Sequence, residues 1–274
     1  MLHVDCAGPV IRVTLARRVL GMPMRQVCVY LVDGLLIDSG PPATSAELVD
    51  WLKVAKVEQV YNTHHHEDHA GGNARIQREL GVQVAAGSRA AQVLADLPGI
   101  ELYRRLAWGR PESSAVQINN SVVITPHHTF EVIPTPGHSP DHVCLMERGE
   151  GWLFGGDLFV HERVRYLRAD EDLHLEIAAL AVARQLAPKV LYCAHAGVVT
   201  DPAAAIERKL RFWAEIRKKG LGLQESGLPL SQIRRQLLGR EDLLTRFSGG
   251  HFSKSELVRA LLDLPSSDLA DWGG

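Results

Sequence analysis

Apolar and polar residues alternate with period two through Val10–Leu15 and Val27–Val32, and a short apolar run follows at Leu35–Ile37. This alternation, rich in β-branched residues, predicts strands, because successive side chains leave a strand on opposite faces. Asp33-Gly34, between the last two, predicts a hairpin turn, since both residues tolerate the left-handed backbone of a tight turn. Gly40-Pro41-Pro42 breaks the pattern, and Ser45–Val54 then shows the apolar spacing of a helix with Ser45 as its cap. The same reading predicts strands at Val57–Tyr61, Val82–Ala86, Ser121–Thr125, Thr129–Pro134, Val143–Glu147, Gly151–Phe154 and Val190–Cys193. It predicts helices at Asn73–Leu80, Ser88–Leu97 and Leu173–Leu186, and residues 98–118 follow neither period.

Strands, helices, strands and helices in that order, joined by short turns, fit an α/β architecture. The specific expectation is an αββα sandwich, two mixed sheets flanked by helices. The character changes at Thr200-Asp201-Pro202, where an Asp-Pro pair signals a helix start. Ala203–Lys218, Leu230–Leu238 and Ser253–Leu262 predict three further helices. The expected division is a catalytic body over residues 1–202 and a small helical appendage over 203–274.

Composition adds little until its distribution is considered. A chain of 274 residues, 46% hydrophobic, can bury a core without disulfides or a structural metal. The net charge of −2 does not point to nucleic acid or a membrane surface as a whole-chain partner. Yet residues 205–260 carry twelve Lys and Arg against six Asp and Glu, a net of +6 on an otherwise acidic chain. Cys6, Cys28, Cys144 and Cys193 form no Cys-x-x-Cys pair and are expected to be reduced thiols. No leader-like start and no run of about 20 apolar residues is present, so the expectation is a soluble cytoplasmic protein with no membrane partner.

The chemistry is concentrated in histidine. Of 13 histidines, four lie between positions 64 and 69, in His64-x-His66-x-Asp68-His69. The cluster follows a strand and precedes a helix, and a strand end lets several side chains converge on one point. Imidazole nitrogen and carboxylate oxygen are both good zinc ligands. The spacing lets His64 and His66 reach one ion while Asp68 and His69 reach another. Two ions need more donors, and three appear at later strand ends: His138 in Pro136-Gly137-His138, Asp157 in Gly155-Gly156-Asp157, and His195 in Ala194-His195.

These stretches, with Thr63–Gly72 and Thr135–His142, resemble the metallo-β-lactamase-fold hydrolase superfamily in its glyoxalase II-like and lactonase-like branch. The resemblance covers about residues 10–200. It implies that His64, His66 and His138 hold a first metal, that Asp68, His69 and His195 hold a second, and that Asp157 bridges both. Asp68 and Asp157 are then the catalytic carboxylates, with Asp68 orienting the nucleophile. Asp38 and His142 match family positions that support the ligands by hydrogen bonds, and alternation turns His65 away. At the last ligand the family often has Pro-Gly-His, where this chain has Cys193-Ala194-His195. True β-lactamases of this fold lack a bridging Asp at the position of Asp157, which argues against antibiotic hydrolysis.

The implied cofactors are two divalent ions. Zinc is expected, and the ligand types equally accept iron or manganese. Two ions about 3.5–4 Å apart can share one hydroxide and polarise a carbonyl or phosphoryl oxygen. The expected activity is hydrolysis of a small ester, thioester or lactone. Tyr103, Arg105, Trp108, Phe159 and Arg163 are the candidate substrate-pocket residues, with His161, Tyr166 and Arg168 nearby in sequence.

Two other readings stay open. The basic appendage could serve a metal-dependent endoribonuclease or phosphodiesterase, although no aromatic-rich surface accompanies its charges. An iron dioxygenase on the same fold would need only part of the ligand set. The favoured partner is a small-molecule substrate rather than nucleic acid, with the appendage docking on the acidic body or on a second subunit of a homo-oligomer.

Overall fold

The computed structural model describes residues 1–19, 22–265, 267–269 and 272. Its first sheet has seven strands in chain order: Leu2–Ala7, Val10–Val19, Met22–Val32, Leu35–Ile37, Gln59–Asn62, Gln83–Ala86 and Gln117–Ile118. The first four pair antiparallel and the rest are parallel. A second sheet of six strands runs in the order Gly197–Val199, Val190–Cys193, Trp152–Gly156, Val143–Glu147, Thr129–Pro134, Val122–Ile124. Among the described residues, its only parallel pairing is Trp152–Gly156 with Val190–Cys193. Both sheets are therefore mixed, as expected.

Period-two alternation decides which side chains meet. Leu35 and Ile37 face the second sheet and pack with Tyr30, Tyr61, Phe130, Phe154 and Tyr192. Leu36, between them, faces outward with Val60 onto Leu48, Leu52 and Ile76 of the covering helices. On the second sheet, Leu153, Leu191 and Cys193 face outward into a cluster with Leu180 of helix Leu173–Gln185. That cluster also holds Leu210, Trp213, Leu257 and Leu261. Helices Pro202–Glu225 and Lys254–Asp263 thus complete the outer layer over the second sheet.

Asp201 caps the first of these, accepting from Ala204 N at 3.2 Å. Several of the segment's charges are engaged within the protein. Arg208 pairs with Glu162 and Lys254 with Asp242, Arg217 donates to the Leu261 and Leu264 carbonyls, and Lys209 is buried. Among the described residues, no helix is long and apolar enough to cross a membrane.

Some elements escape the sequence pattern because they are short. Leu102–Trp108 is a helix inside the stretch that follows no period. Leu167–Arg168 pairs with Phe252–Ser253 in a two-residue ribbon. Both sit beside the site described next.

Candidate metal centre

Strand ends bring the predicted donors together. Gln59–Asn62 runs into the histidine cluster, and a one-turn helix, Glu67–Ala70, places Asp68 and His69. His138 follows strand Thr129–Pro134, Asp157 follows Trp152–Gly156, and His195 follows Val190–Cys193. Two glycines permit the close approach. At Gly137 (φ 143°) a Cβ would lie 2.4 Å from Glu176 N, and at Gly156 (φ 47°) it would lie 2.7 Å from Thr63 Oγ1.

The donors form two groups: His64, His66, His138 and Asp157, and Asp68, His69, Asp157 and His195. Within each, the ligating atoms lie within 4.8 Å of one another. Asp157 belongs to both. Its Oδ2 is 3.1 Å from His138 Nε2, and its Oδ1 is 3.3 Å from His69 Nε2 and 3.4 Å from His195 Nε2. Asp68 Oδ2 is 3.5 Å from His195 Nε2 and 3.9 Å from His69 Nε2.

The arrangement fits metal ions on this geometry. His64 Nε2 and His138 Nε2 converge on His66 Nδ1 at 2.7 and 3.0 Å. His69 Nε2 and Asp157 Oδ1 are buried with no hydrogen-bond partner, a costly state that a cation held between them would relieve. The far ring nitrogens are held from behind: His69 Nδ1 by Asp38 at 2.7 Å, His138 Nδ1 by Glu171 at 2.9 Å, and His195 Nδ1 by the Gln26 carbonyl at 2.8 Å. Each such bond assigns the proton to Nδ1 and leaves the Nε2 lone pair facing inward, as a metal requires.

The electrostatics divide the ligand histidines. Burial pushes His64 and His66 well below the usual imidazole range, which keeps them neutral. Burial acts in the same direction on His138, but Asp157 and Glu171 outweigh it and raise the ring to about 9. Burial would raise Asp68, but His69 and His195 outweigh it and bring the carboxyl down to about 2. Carboxylates in this number favour positive charge at the centre.

Asp38 stands at the expected place, with a left-handed backbone (φ 64°) that is uncommon outside glycine. It accepts from Thr63 N at 2.8 Å and from Thr63 Oγ1, besides holding His69. His142 Nε2 accepts from Asp157 N at 3.2 Å and so fixes the backbone of the shared carboxylate. His65 turns away, its N and Nδ1 both bonded to Asp141.

A cavity of about 340 Å³ opens onto the centre. Tyr103, Trp108 and Arg163 line it, as do His161, Tyr166 and Arg168. Arg105 and Phe159 do not. On the short helix, residues 103, 104, 107 and 108 face the cavity, which puts Arg105 on the far side, exposed and donating to the Ile100 carbonyl. Phe159 is buried against the second sheet, and the next residue, Val160 (φ 55°), turns into the cavity instead. Lys209, Leu244, Phe247 and Phe252 of the C-terminal segment also form its wall.

Several supports carry no readable signal. Glu67 and Arg104 make a buried two-pronged ion pair at 2.8 and 2.5 Å that joins the short helix to the histidine loop. Glu67 lies inside the cluster motif, but Arg104 sits in the stretch without periodicity. Removing one partner strands a buried charge, so Arg104→Met is expected to destabilise the protein by about 3 kcal/mol, read from its urea midpoint. An unchanged midpoint would show that the pair contributes nothing to stability.

An α/β sandwich with a His and Asp centre across the ends of both sheets defines a class of metal-dependent enzymes. The chain belongs to the metallo-beta-lactamase superfamily, whose profile matches residues 23–195. It is 35% identical to a hydroxyacylglutathione hydrolase of Maricaulis maris (strain MCS10) over 101 residues, 37% of this chain and 33% of that protein. It is 24% identical to an atrochrysone carboxyl ACP thioesterase of Aspergillus fumigatus over 243 residues, 87% of this chain and 68% of that protein. The chain thus spans only part of the length of these relatives. Its fold matches a metallo-beta-lactamase family protein of Thermus thermophilus with a TM-score of 0.66 at 19% identity, covering 92% of each chain.

Proposed function

We propose that the protein is a dinuclear metal hydrolase of small esters, thioesters or lactones, with thioesters foremost. The observation that carries this reading is the division of Asp157, whose two oxygens face two different donor groups. In this reading His64, His66 and His138 hold one ion, Asp68, His69 and His195 hold the other, and Asp157 touches both. Ions held there would polarise the substrate carbonyl and supply an acidified water as nucleophile near neutral pH.

The chain's own residues do the rest. Asp68 orients the attacking water. Trp108, Phe247 and Phe252 give the cavity apolar walls that receive an acyl chain and exclude bulk water. Arg163 and Arg25, at the same cavity, bind an anionic group on the substrate's leaving portion. Two relatives, named as a hydroxyacylglutathione hydrolase and an ACP thioesterase, support the thioester emphasis.

The engaged charges of the C-terminal segment support a cavity wall over a phosphate-tracking surface. The complete second donor group supports two ions over one.

The test is metal content by mass spectrometry on protein purified without added metal, with turnover of a glutathione thioester, an acyl lactone, a phosphodiester and short RNA. Two zinc ions per chain with thioester or lactone turnover is the expected result. One iron per chain with oxygen uptake would move the protein to dioxygenase chemistry, and RNA cleavage would make it a nuclease.

A further inference from the structure

The turn from Arg168 to Asp172 lies outside every motif of the sequence, yet it supports the first donor group. Glu171 Oε1 is 2.9 Å from His138 Nδ1, and Glu171 Oε2 accepts from Arg168 N at 2.8 Å, so both carboxylate oxygens are fixed. Asp172 N donates to the Gly137 carbonyl at 2.9 Å, tying the turn to the loop that carries His138. Arg168 is 6% exposed, and its Nη2 lies 3.1 Å from His66 Nε2 and 3.3 Å from the His138 carbonyl. Arg168 also donates to Asp170 Oδ1 at 2.9 Å and to Asp170 Oδ2 at 3.2 Å.

The C-terminal segment holds this turn. Leu167 and Arg168 pair with Ser253 and Phe252, and Ala169 N donates to the His251 carbonyl at 3.0 Å. His251 Nε2 is 3.2 Å from Asp170 Oδ1, and its Nδ1 meets Tyr103 Oη at 2.7 Å. The second donor group is held differently. His69 rests on Asp38, and His195 on the Gln26 carbonyl, both contributed by the first sheet and its strand ends.

We propose that Glu171 is a positioning residue for His138 and that residues 251–253 set its place, so the C-terminal segment governs how firmly the first donor group holds an ion, with less bearing on the second. This rests on the two-ion reading above. The physical basis is that a carboxylate accepting from Nδ1–H fixes the tautomer and ring orientation and raises the basicity of the ligating nitrogen.

The test compares Glu171→Ala, Glu171→Gln, His251→Ala and Asp38→Ala with the unaltered protein. Zinc is titrated against a chromogenic chelator, and the histidine ring signals of the cobalt-substituted proteins are read by NMR. Glu171→Ala is expected to weaken one of the two binding steps by about 10–100-fold. The cobalt-shifted signals of His64, His66 and His138 fade with it, while those of His69 and His195 persist. Glu171→Gln, which still offers an oxygen to Nδ1–H, recovers part of the loss. His251→Ala weakens the same step by a smaller factor, and Asp38→Ala weakens the step at His69 most, with a lesser effect at His64, whose Nδ1 meets the Asp38-bound Thr63 Oγ1 at 3.0 Å.

Equal weakening of both steps by Glu171→Ala, no weakening, or no recovery by Glu171→Gln would overturn the proposal. Should Glu171→Ala fail to fold, His251→Ala, outside both donor groups, decides the same question. An unaltered protein that binds fewer than two ions ends the two-ion reading and this proposal together. Two ions with an unselective Glu171→Ala end this proposal alone.

Discussion

Asp157→Ala is expected to lower kcat by about three orders of magnitude and to reduce metal content from the proposed two ions per chain to one or none, with the fold intact. The reduction follows from the position of the carboxylate: it is the single side chain present in both donor groups. Without it, the Nε2 atoms of His138, His69 and His195 lose the anion that lies 3.1–3.4 Å from each. Loss of a shared Lewis-acid centre removes several kcal/mol of transition-state stabilisation, and each 1.36 kcal/mol is a factor of ten in rate. The fold should survive, because the strand leading to Asp157 is held by the packing of Phe154 and by the His142 bond to the Asp157 backbone. Steady-state kinetics, metal analysis and circular dichroism on one preparation check all three parts. Wild-type turnover in this variant would refute the shared role of Asp157.

Stripping the metal with a chelator is expected to cost about 4 kcal/mol of stability where free zinc stands about a thousandfold above its dissociation constant. For a chain of this size that is a fall of roughly 10 °C in Tm. The buried His69 Nε2 and Asp157 Oδ1, which have no hydrogen-bond partner, give this prediction its local basis, since ions held there would satisfy atoms the protein does not. Differential scanning calorimetry, with the chelator removed by dialysis before the scan, makes the measurement. A Tm that does not depend on zinc would show that the donor groups are saturated by their own contacts.

The C-terminal segment shows how composition and packing speak to different questions. Its charge of +6 over residues 205–260 sets it apart along the chain and invites a nucleic-acid reading. In the structure Lys209 and Trp213 are buried, and Phe247 and Phe252 line the cavity that opens on the candidate metal centre. Where a charge points is fixed by the face of the helix it occupies and by what lies opposite, and neither is a property of the count.

All seven candidate donors and the layered architecture were legible in the sequence for one physical reason. Each donor lies in the loop or single helical turn that follows an apolar strand, so local periodicity reports both the strand and where it ends, and ligands beyond strand ends converge once the two sheets pack face to face. Asp38, at the end of strand Leu35–Ile37, and His142, in the Thr135–His142 stretch, were singled out only through the family resemblance. Tertiary structure alone decided the rest. Arg104 against Glu67, Glu171 behind His138, and His251 behind Asp170 join residues distant in sequence on elements too short to carry a period. Arg105 and Phe159 are turned from the cavity by the phase of one short helix and by a left-handed residue at Val160. A local pattern states which way a side chain leaves its own backbone, while its partner is set by how separate elements dock.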